Sequence, residues 1–325
     1  MILQSRFAQL LVHDDRRLEL NYCTDYSPAP IPVNQRDRTF PWRSAKMRHR
    51  IQNIFMQPLH LAGSEHAVLL LHGLQSSPAE LQPLAKRLNQ AGYTVHVPHI
   101  RGYGFMHGDT PRSVTHWQDW HAIATQEFIA LKKQYKTVSM GGLCIGAVLS
   151  LSVAIEQGEE VAALSLLATT FWYDGWSIPW YRCLRHVGYY TPARYYYSYR
   201  EREPFGLKNE QLRRWIAREM SHKDSSIVGA SKLNLPAIQE AERMIDAVKR
   251  RIGQVTAPAI ILHAQEDDVS SLRNAHFAHD NIGSKIKELV ILHNSYHMIT
   301  VDNDREKVAN DTLRFFAAVH AVTPV

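Results

Sequence analysis

Apolar runs of strand length alternate with longer amphipathic stretches from about residue 65 onward. His66-Ala67-Val68-Leu69-Leu70-Leu71 predicts a fully buried strand. Ser77 then opens a predicted helix, with Pro78 at its first position and Glu80 completing a capping box. Residues 93–98 predict the next strand, 117–134 a helix, 137–140 a short strand and 147–155 a helix rich in small residues. Further strands are expected at 161–167, 259–263 and 289–292, with a helix from about Leu272 and a closing helix over 305–319. Continuous apolar strands separated by helices indicate the α/β class, with a doubly wound, mostly parallel sheet covered on both faces.

That pattern divides the chain. Residues 65–169 and 256–325 carry the regular alternation and form the expected core. Residues 170–255, inserted after the strand at 161–167, are expected to form a helical cap above the strand ends. Residues 1–64 are less regular and read as an N-terminal extension, with a possible edge strand at 55–60. Neither an internal repeat nor a low-complexity linker interrupts the chain.

Composition narrows the class. At 325 residues and 45% hydrophobic, the chain is expected to be a globular protein with one large domain and an insertion, or two ordinary domains. No apolar run is long enough to span a bilayer, and the first residues lack the pattern of a secretory signal. Cys23, Cys144 and Cys183 are too few and too widely spaced for a disulfide framework or a zinc site. A reducing cytoplasm is therefore the expected location, and no metal or cofactor is expected. Lys and Arg outnumber Asp and Glu by 37 to 31, a net +6. The excess lies in residues 1–60, with nine against five, and in residues 170–225, with ten against six. Such patches suit acidic partners, but the basic residues follow no nucleic-acid recognition motif. A solvated arginine-rich face is the plainer reading of either segment.

Chemistry concentrates at Gly142-Leu143-Cys144-Ile145-Gly146. A nucleophile between a buried strand and a small-residue helix, flanked by glycines, has the spacing of a strained strand-to-helix elbow. Its side chain would project above the sheet beside a helix N-terminus, which favours the reactive thiolate. Further pieces follow at strand ends, where doubly wound sheets place their sites. In His72-Gly73-Leu74-Gln75, the N–H of Leu74 is expected to join that of Ile145 as a pair of oxyanion donors. Asp267 follows the strand at 259–263, and His297 follows the last strand. His297 would deprotonate Cys144 or pair with its thiolate, and Asp267 would fix the imidazole tautomer. Asp268 competes with Asp267 for that role, while His72 reads as structural and His263 and His293 as core or strand-end residues.

In these motifs, with Arg101-Gly102-Tyr103-Gly104 and Ser295-Tyr296-His297, the chain resembles the α/β-hydrolase superfamily, closest to its carboxylesterase and monoacylglycerol-lipase-like group. The resemblance covers roughly residues 65–320 and implies that fold, an acyl-enzyme mechanism and ester-like substrates. Two positions depart from the group. Cys144 stands where serine is usual, as in dienelactone hydrolases, and Tyr103 stands where histidine is frequent.

Twelve of the 31 aromatic residues fall between Phe171 and Tyr199. Such density lines an apolar pocket or forms a small cap core. Trp172 and Trp176, nearest the sheet, are expected to face substrate. Arg182, Arg185, Arg194, Arg200 and Arg202 are interleaved with the aromatics as a possible basic rim. The leading expectation is carboxylic-ester hydrolysis of a small-molecule substrate through an acyl-thioenzyme on Cys144. The runner-up is a thioesterase or acyltransferase using coenzyme- or carrier-bound acyl groups, with an acidic acyl carrier protein as partner. A catalytically silent receptor, in which Cys144 is only a small buried hydrophobe, is the third.

Overall fold

Alternate residues of the buried strands feed two separate cores, as a sheet covered on both faces requires. A computed structural model describes residues 57–322, apart from 107, 201, 223–224, 227–228 and 231. The expected N-terminal extension lies almost wholly outside the described residues. The first strands are β1 (Leu59–Leu61), β2 (His66–Leu71), β3 (Thr94–Val97), β4 (Thr137–Leu143) and β5 (Val161–Leu167). A long excursion carries β6 (Ser198–Arg200), which pairs antiparallel with β9 (Lys232–Asn234), and the small hairpin β7 (Ser225–Ser226) with β8 (Gly229–Ala230). The chain then returns through β10 (Ala259–Ala264) and β11 (Lys287–Leu292).

The central sheet has the order β1-β3-β2-β4-β5-β10-β11. Every neighbouring pair is parallel except β1, which closes one edge antiparallel to β3. The expected edge strand is thus found two to three residues later than its sequence pattern suggested, at Leu59–Leu61. In β2, Ala67, Leu69 and Leu71 enter one core, whereas Val68 and Leu70 enter the other. The first core lies under α2 (Trp117–Lys132) and α3 (Ile145–Gln157); the second is shared with α1 (Gln82–Gln90) and the closing helix, residues 305–322.

Within the excursion lie α4 (Arg185–Tyr189), α5 (Glu210–His222) and α6 (Leu235–Lys249). The expected insertion ran to residue 255, but α6 buries Ala237, Ala241, Met244, Ile245 and Val248 in the same core as α3. That helix is therefore a layer helix of the sheet, and its apolar face decides this. The remaining helices are α7 (Arg273–Asn281), between β10 and β11, and α8 (Arg305–Val322).

The expected capping box at Ser77 does not form. Pro78–Leu81 is a 3-10 turn without a side-chain cap, and α1 begins only at Gln82. The Glu80 carboxyl turns instead toward the loop after β2, where it meets Gly73 and Ser76. Proline at the first position fixed the turn, but the buried Gly73 N–H and Ser76 hydroxyl, both donors, competed for the glutamate.

The elbow joins β4 to α3 with Cys144 at φ 58°, ψ −117°. A Cβ on Gly146 would lie 2.1 Å from the Leu71 carbonyl oxygen, and one on Gly142 would lie 2.3 Å from the Gly146 carbonyl carbon. Backbone occupies both spaces, so these glycines are required for close approach. By contrast Gly158, which ends α3 at φ 57°, has open space where its Cβ would stand. Gly146→Ala is therefore expected to cost about 3 kcal/mol or more, because rigid backbone must move. Gly158→Ala should cost only about 1 kcal/mol, from its backbone conformation alone. Urea unfolding of the two variants checks the order; equal losses would contradict it.

Candidate active site

Three strand ends converge on one cavity. The elbow after β4 supplies Cys144, the loop after β10 supplies Asp267, and the segment after β11 supplies His297. Cys144 and His297 line a cavity of about 520 Å³, while Asp267 lies behind the histidine, 3% exposed. His297 Nδ1 is 2.8 Å from Asp267 Oδ2 and 3.0 Å from Oδ1. A carboxylate only accepts, so Nδ1 carries the proton and Nε2 is the free nitrogen of the neutral ring. That Nε2 is buried, with no partner at hydrogen-bonding distance among the described residues.

The two carboxylates, which sequence alone left in competition, have different tasks. Asp267 Oδ1 also accepts the N–H groups of Val269 and Ser270, each at 2.8 Å. Burial would raise its carboxyl, but the charge and hydrogen bond of His297, aided by His263 and Ser270, hold it below the ordinary value. Asp268 instead accepts main-chain N–H groups from His297 at 3.3 Å and Gly206 at 3.2 Å. Burial raises that carboxyl. Burial would likewise lower the His297 imidazole, but the charges of Asp267 and Cys144 raise it well above its usual range.

Behind Cys144 runs a pair of hydroxyls. Cys144 Sγ is 3.4 Å from Thr170 Oγ1. The single proton of Thr170 has two acceptors in reach, Ala168 O at 3.1 Å and Ser270 Oγ at 3.2 Å. Sulfur is a third candidate, and in its contact with Thr170 either atom can donate. Ser270 Oγ in turn stands 3.4 Å from Asp267 Oδ2. His263, read from sequence as a core residue, is buried 3.4 Å from the same Asp267 oxygen and donates from Nε2 to Ser270 O at 2.8 Å. Burial keeps it neutral by lowering its affinity for a second proton. None of these polar residues carries a sequence signal, because they meet only when β5, β10 and β11 lie side by side.

Leu74 and Ile145, the expected oxyanion donors, also line the cavity. Ile145 opens α3, so its N–H is one of those a helix leaves without an intrahelical acceptor. The loop bearing Leu74 is held from behind: Tyr103 Oη donates to His72 O at 2.6 Å, and Gln75 N–H donates to Tyr103 O at 2.9 Å. The tyrosine that departs from the related motif thus supports this loop. His72 donates from Nδ1 to Gly73 O and is held neutral, burial lowering it to about 3.

Trp172 and Trp176 lie elsewhere. Trp172 packs on Phe277 with Lys249 and Arg273 near its ring at 4.1 and 4.2 Å. Trp176 is 60% exposed, donating to Glu266 O and resting on Tyr296. Neither is among the residues lining the cavity; Tyr173, Tyr181, Tyr197 and Tyr199 are. The basic rim is largely committed as well. Arg182 and Arg185 both pair with Glu242, and Arg194 lies over the Tyr195 ring. No helix among the described residues is long and apolar enough to cross a membrane.

Comparison with known proteins supplies the family. The model of the Hydrolase_4 family, described as serine aminopeptidase S33, matches residues 63–304. A thermostable monoacylglycerol lipase of Bacillus sp. (strain H-257) is 27% identical over 80% of this chain and 94% of its own. A carboxylesterase of Bacillus subtilis (strain 168) is 26% identical over 80% and 95%. Among solved structures, one from a study of the metagenome-derived lipolytic enzymes LipS and LipT superposes with TM-score 0.68 at 25% identity, covering 81% of this chain and 98% of that one. The Paleococcus ferrophilus monoacylglycerol lipase superposes with TM-score 0.65 at 14% identity, covering 81% and 98%.

The division of labour between the carboxylates is open to measurement. Asp267→Asn is expected to lower kcat by about 100-fold or more, since the amide no longer favours the Nδ1–H tautomer or the charged ring. Asp268→Asn should lower kcat less than about tenfold and act mainly on thermal stability. Steady-state kinetics with melting curves would separate the two; a larger kcat effect at Asp268 would reverse the assignment.

Proposed function

The chain belongs to the Hydrolase_4 family of α/β hydrolases, and from that premise we propose that it cleaves carboxylic esters through Cys144, His297 and Asp267. The observation that carries this reading is the Cys144 side chain on its left-handed elbow, lining the same cavity as a His297 whose far nitrogen is bound to Asp267. Relatives named as lipases and carboxylesterases support ester chemistry, although serine is the usual nucleophile of the group.

The steps follow from the positions of the groups. His297 Nε2 takes the thiol proton as sulfur forms a bond to the substrate carbonyl carbon. The carbonyl π electrons move to oxygen, which the N–H groups of Leu74 and Ile145 receive. Collapse breaks the carbon–oxygen ester bond, and the imidazolium gives its proton to the departing alcohol. Water, deprotonated by His297, then attacks the thioester and releases the acid and the thiol. Asp267 stabilises the imidazolium throughout and keeps its orientation.

The cavity suggests which esters fit. Its volume is ordinary for a ligand site, and Leu74, Leu143, Ile178, Leu184 and Ile238 give it apolar walls. The segment 170–234, which supplies much of this lining, acts as the cap over the nucleophile. A fatty acyl group of a small-alcohol ester, such as a monoacylglycerol, matches that chemistry. One feature favours thioester donors as a second reading: Arg202 is exposed, lines the cavity and has no ion-pair partner among the described residues. It would meet an anionic leaving group, from coenzyme or carrier. Matched oxygen esters and thioesters of one acyl chain would rank the two readings.

Cys144→Ala is expected to abolish turnover, whereas Cys144→Ser should retain part of it. Mass spectrometry of the protein mixed with a nitrophenyl ester should find the acyl group on Cys144. Iodoacetamide should modify that residue faster than exposed Cys183, with parallel loss of activity. Wild-type kcat in Cys144→Ala would exclude the mechanism, and absence of turnover and of acylation in the wild-type chain would leave the ligand-binding alternative.

A further inference from the structure

The cavity that holds Cys144 and His297 is also lined by a carboxyl group with no part in the steps above, that of Glu80. The residue is 2% exposed, and no Lys or Arg among the described residues pairs with it. Its oxygens are divided between two donors of one loop: Oε1 accepts from the Gly73 N–H and Oε2 from the Ser76 hydroxyl. Its own main chain is pinned separately, by Thr300 Oγ1 donating to its carbonyl at 2.8 Å. A Cβ on Gly73 would stand 3.2 Å from Glu80 Oε1 and 3.8 Å from Cys144 Cβ. Carboxyl and nucleophile thus abut the same α-carbon, one peptide before the Leu74 N–H.

We propose that Glu80 is a positioning residue for the oxyanion loop, and that it does this work in its neutral form. The inference rests on the Cys144 mechanism, because it concerns where the substrate oxyanion develops. A loop peptide held through Gly73 N–H needs one acceptor, and the carbonyl oxygen of a protonated carboxyl supplies it. The hydroxyl of that carboxyl can then donate to Ser76 Oγ, so both contacts survive protonation. An ionised carboxylate holds the loop equally well but places a second negative charge beside the developing oxyanion. In a water-poor site that repulsion opposes the transition state.

The surroundings fit a carboxyl poised between its two forms. Burial pushes Glu80 up to about 7, against the hydrogen bonds of Ser76 and Gly73 and the charge of His297. His297 faces it from the segment after β11 and favours ionisation. Cys144 faces it from the elbow. Tyr103, on the loop after β3, has a buried phenol pushed well above its ordinary value, in part by Cys144 and Glu80. His72, on the loop after β2, is neutral. A second consequence follows for stability. A carboxyl that releases its proton at about 7 in the folded chain, but in the ordinary range when unfolded, makes the fold lose stability as pH rises between those values.

The test compares wild type, Glu80→Gln and Glu80→Ala in nitrophenyl-ester hydrolysis across pH, each profile normalised to its own maximum. Wild-type kcat should fall as pH rises, with a midpoint near 7. Glu80→Gln, which mimics the neutral carboxyl in shape and hydrogen bonding, should lose that limb and show a flatter dependence of Tm on pH. Glu80→Ala should lower kcat by about tenfold or more below that midpoint, where wild-type Glu80 is neutral, with a much smaller change in KM, because Gly73 loses its acceptor. Higher kcat in the Gln variant than in the Ala variant is the signature of positioning. An unchanged alkaline limb in Glu80→Gln, or equal kcat in the two variants, would overturn the proposal. Acylation of Cys144 read in parallel by mass spectrometry separates this failure from a failure of the mechanism beneath it.

Discussion

The elbow depends on backbone lying where any other residue would put a side chain. The first turn of α3 crosses the end of β2 so closely that a methyl group on Gly146 would overlap the Leu71 carbonyl. This contact forces β4 to turn sharply into the helix and leaves Cys144 in a left-handed conformation that costs of order 1–3 kcal/mol. The two buried cores of the sheet supply that energy. In return Cys144 stands at a helix N-terminus, above the strand ends, with the Ile145 N–H beside it. A looser turn would preserve the fold and scatter the chemistry.

Around the elbow, buried charge is handled by division of labour. Two adjacent aspartates leave the end of β10, yet one orients an imidazole while the other binds main-chain N–H groups of His297 and Gly206. The first is held ionised by its partners, and the second is pushed toward its neutral form by burial. Glu80 continues the pattern on the far side of the oxyanion loop. Each carboxyl has its own hydrogen-bond donors, which is what makes three of them tolerable around one buried cavity wall.

The excursion between β5 and β10 combines two kinds of structure. Its last helix, α6, fills the sheet's own layer with Ala237, Met244 and Val248. The stretch before it gives the cavity its tyrosines and ties Arg182, Arg185 and Tyr189 to Glu242. Part of the local positive charge is therefore paired internally, so a net charge counted along the sequence overstates the field offered to a ligand.

The sequence by itself determined the sheet, the order of the layers and the positions of Cys144, Asp267 and His297, because each rests on local pattern. Apolar runs specify buried strands, paired glycines specify the elbow, and a polar residue just past a strand lies at the site end of a parallel sheet. Three things it could not determine. Trp172 and Trp176 were legible as aromatic but not as facing away from the cavity, since that depends on Phe277, Lys249 and Tyr296, distant in the chain. Glu80 fitted a capping box until a loop donor without another acceptor came within reach. Thr170, Ser270 and His263 carry no motif, and they join the site only because three strand ends are packed together. Local spacing fixes which groups stand at a strand end; partners a hundred residues or more apart are assigned by packing, and packing alone decides which hydrogen bonds a buried polar group makes.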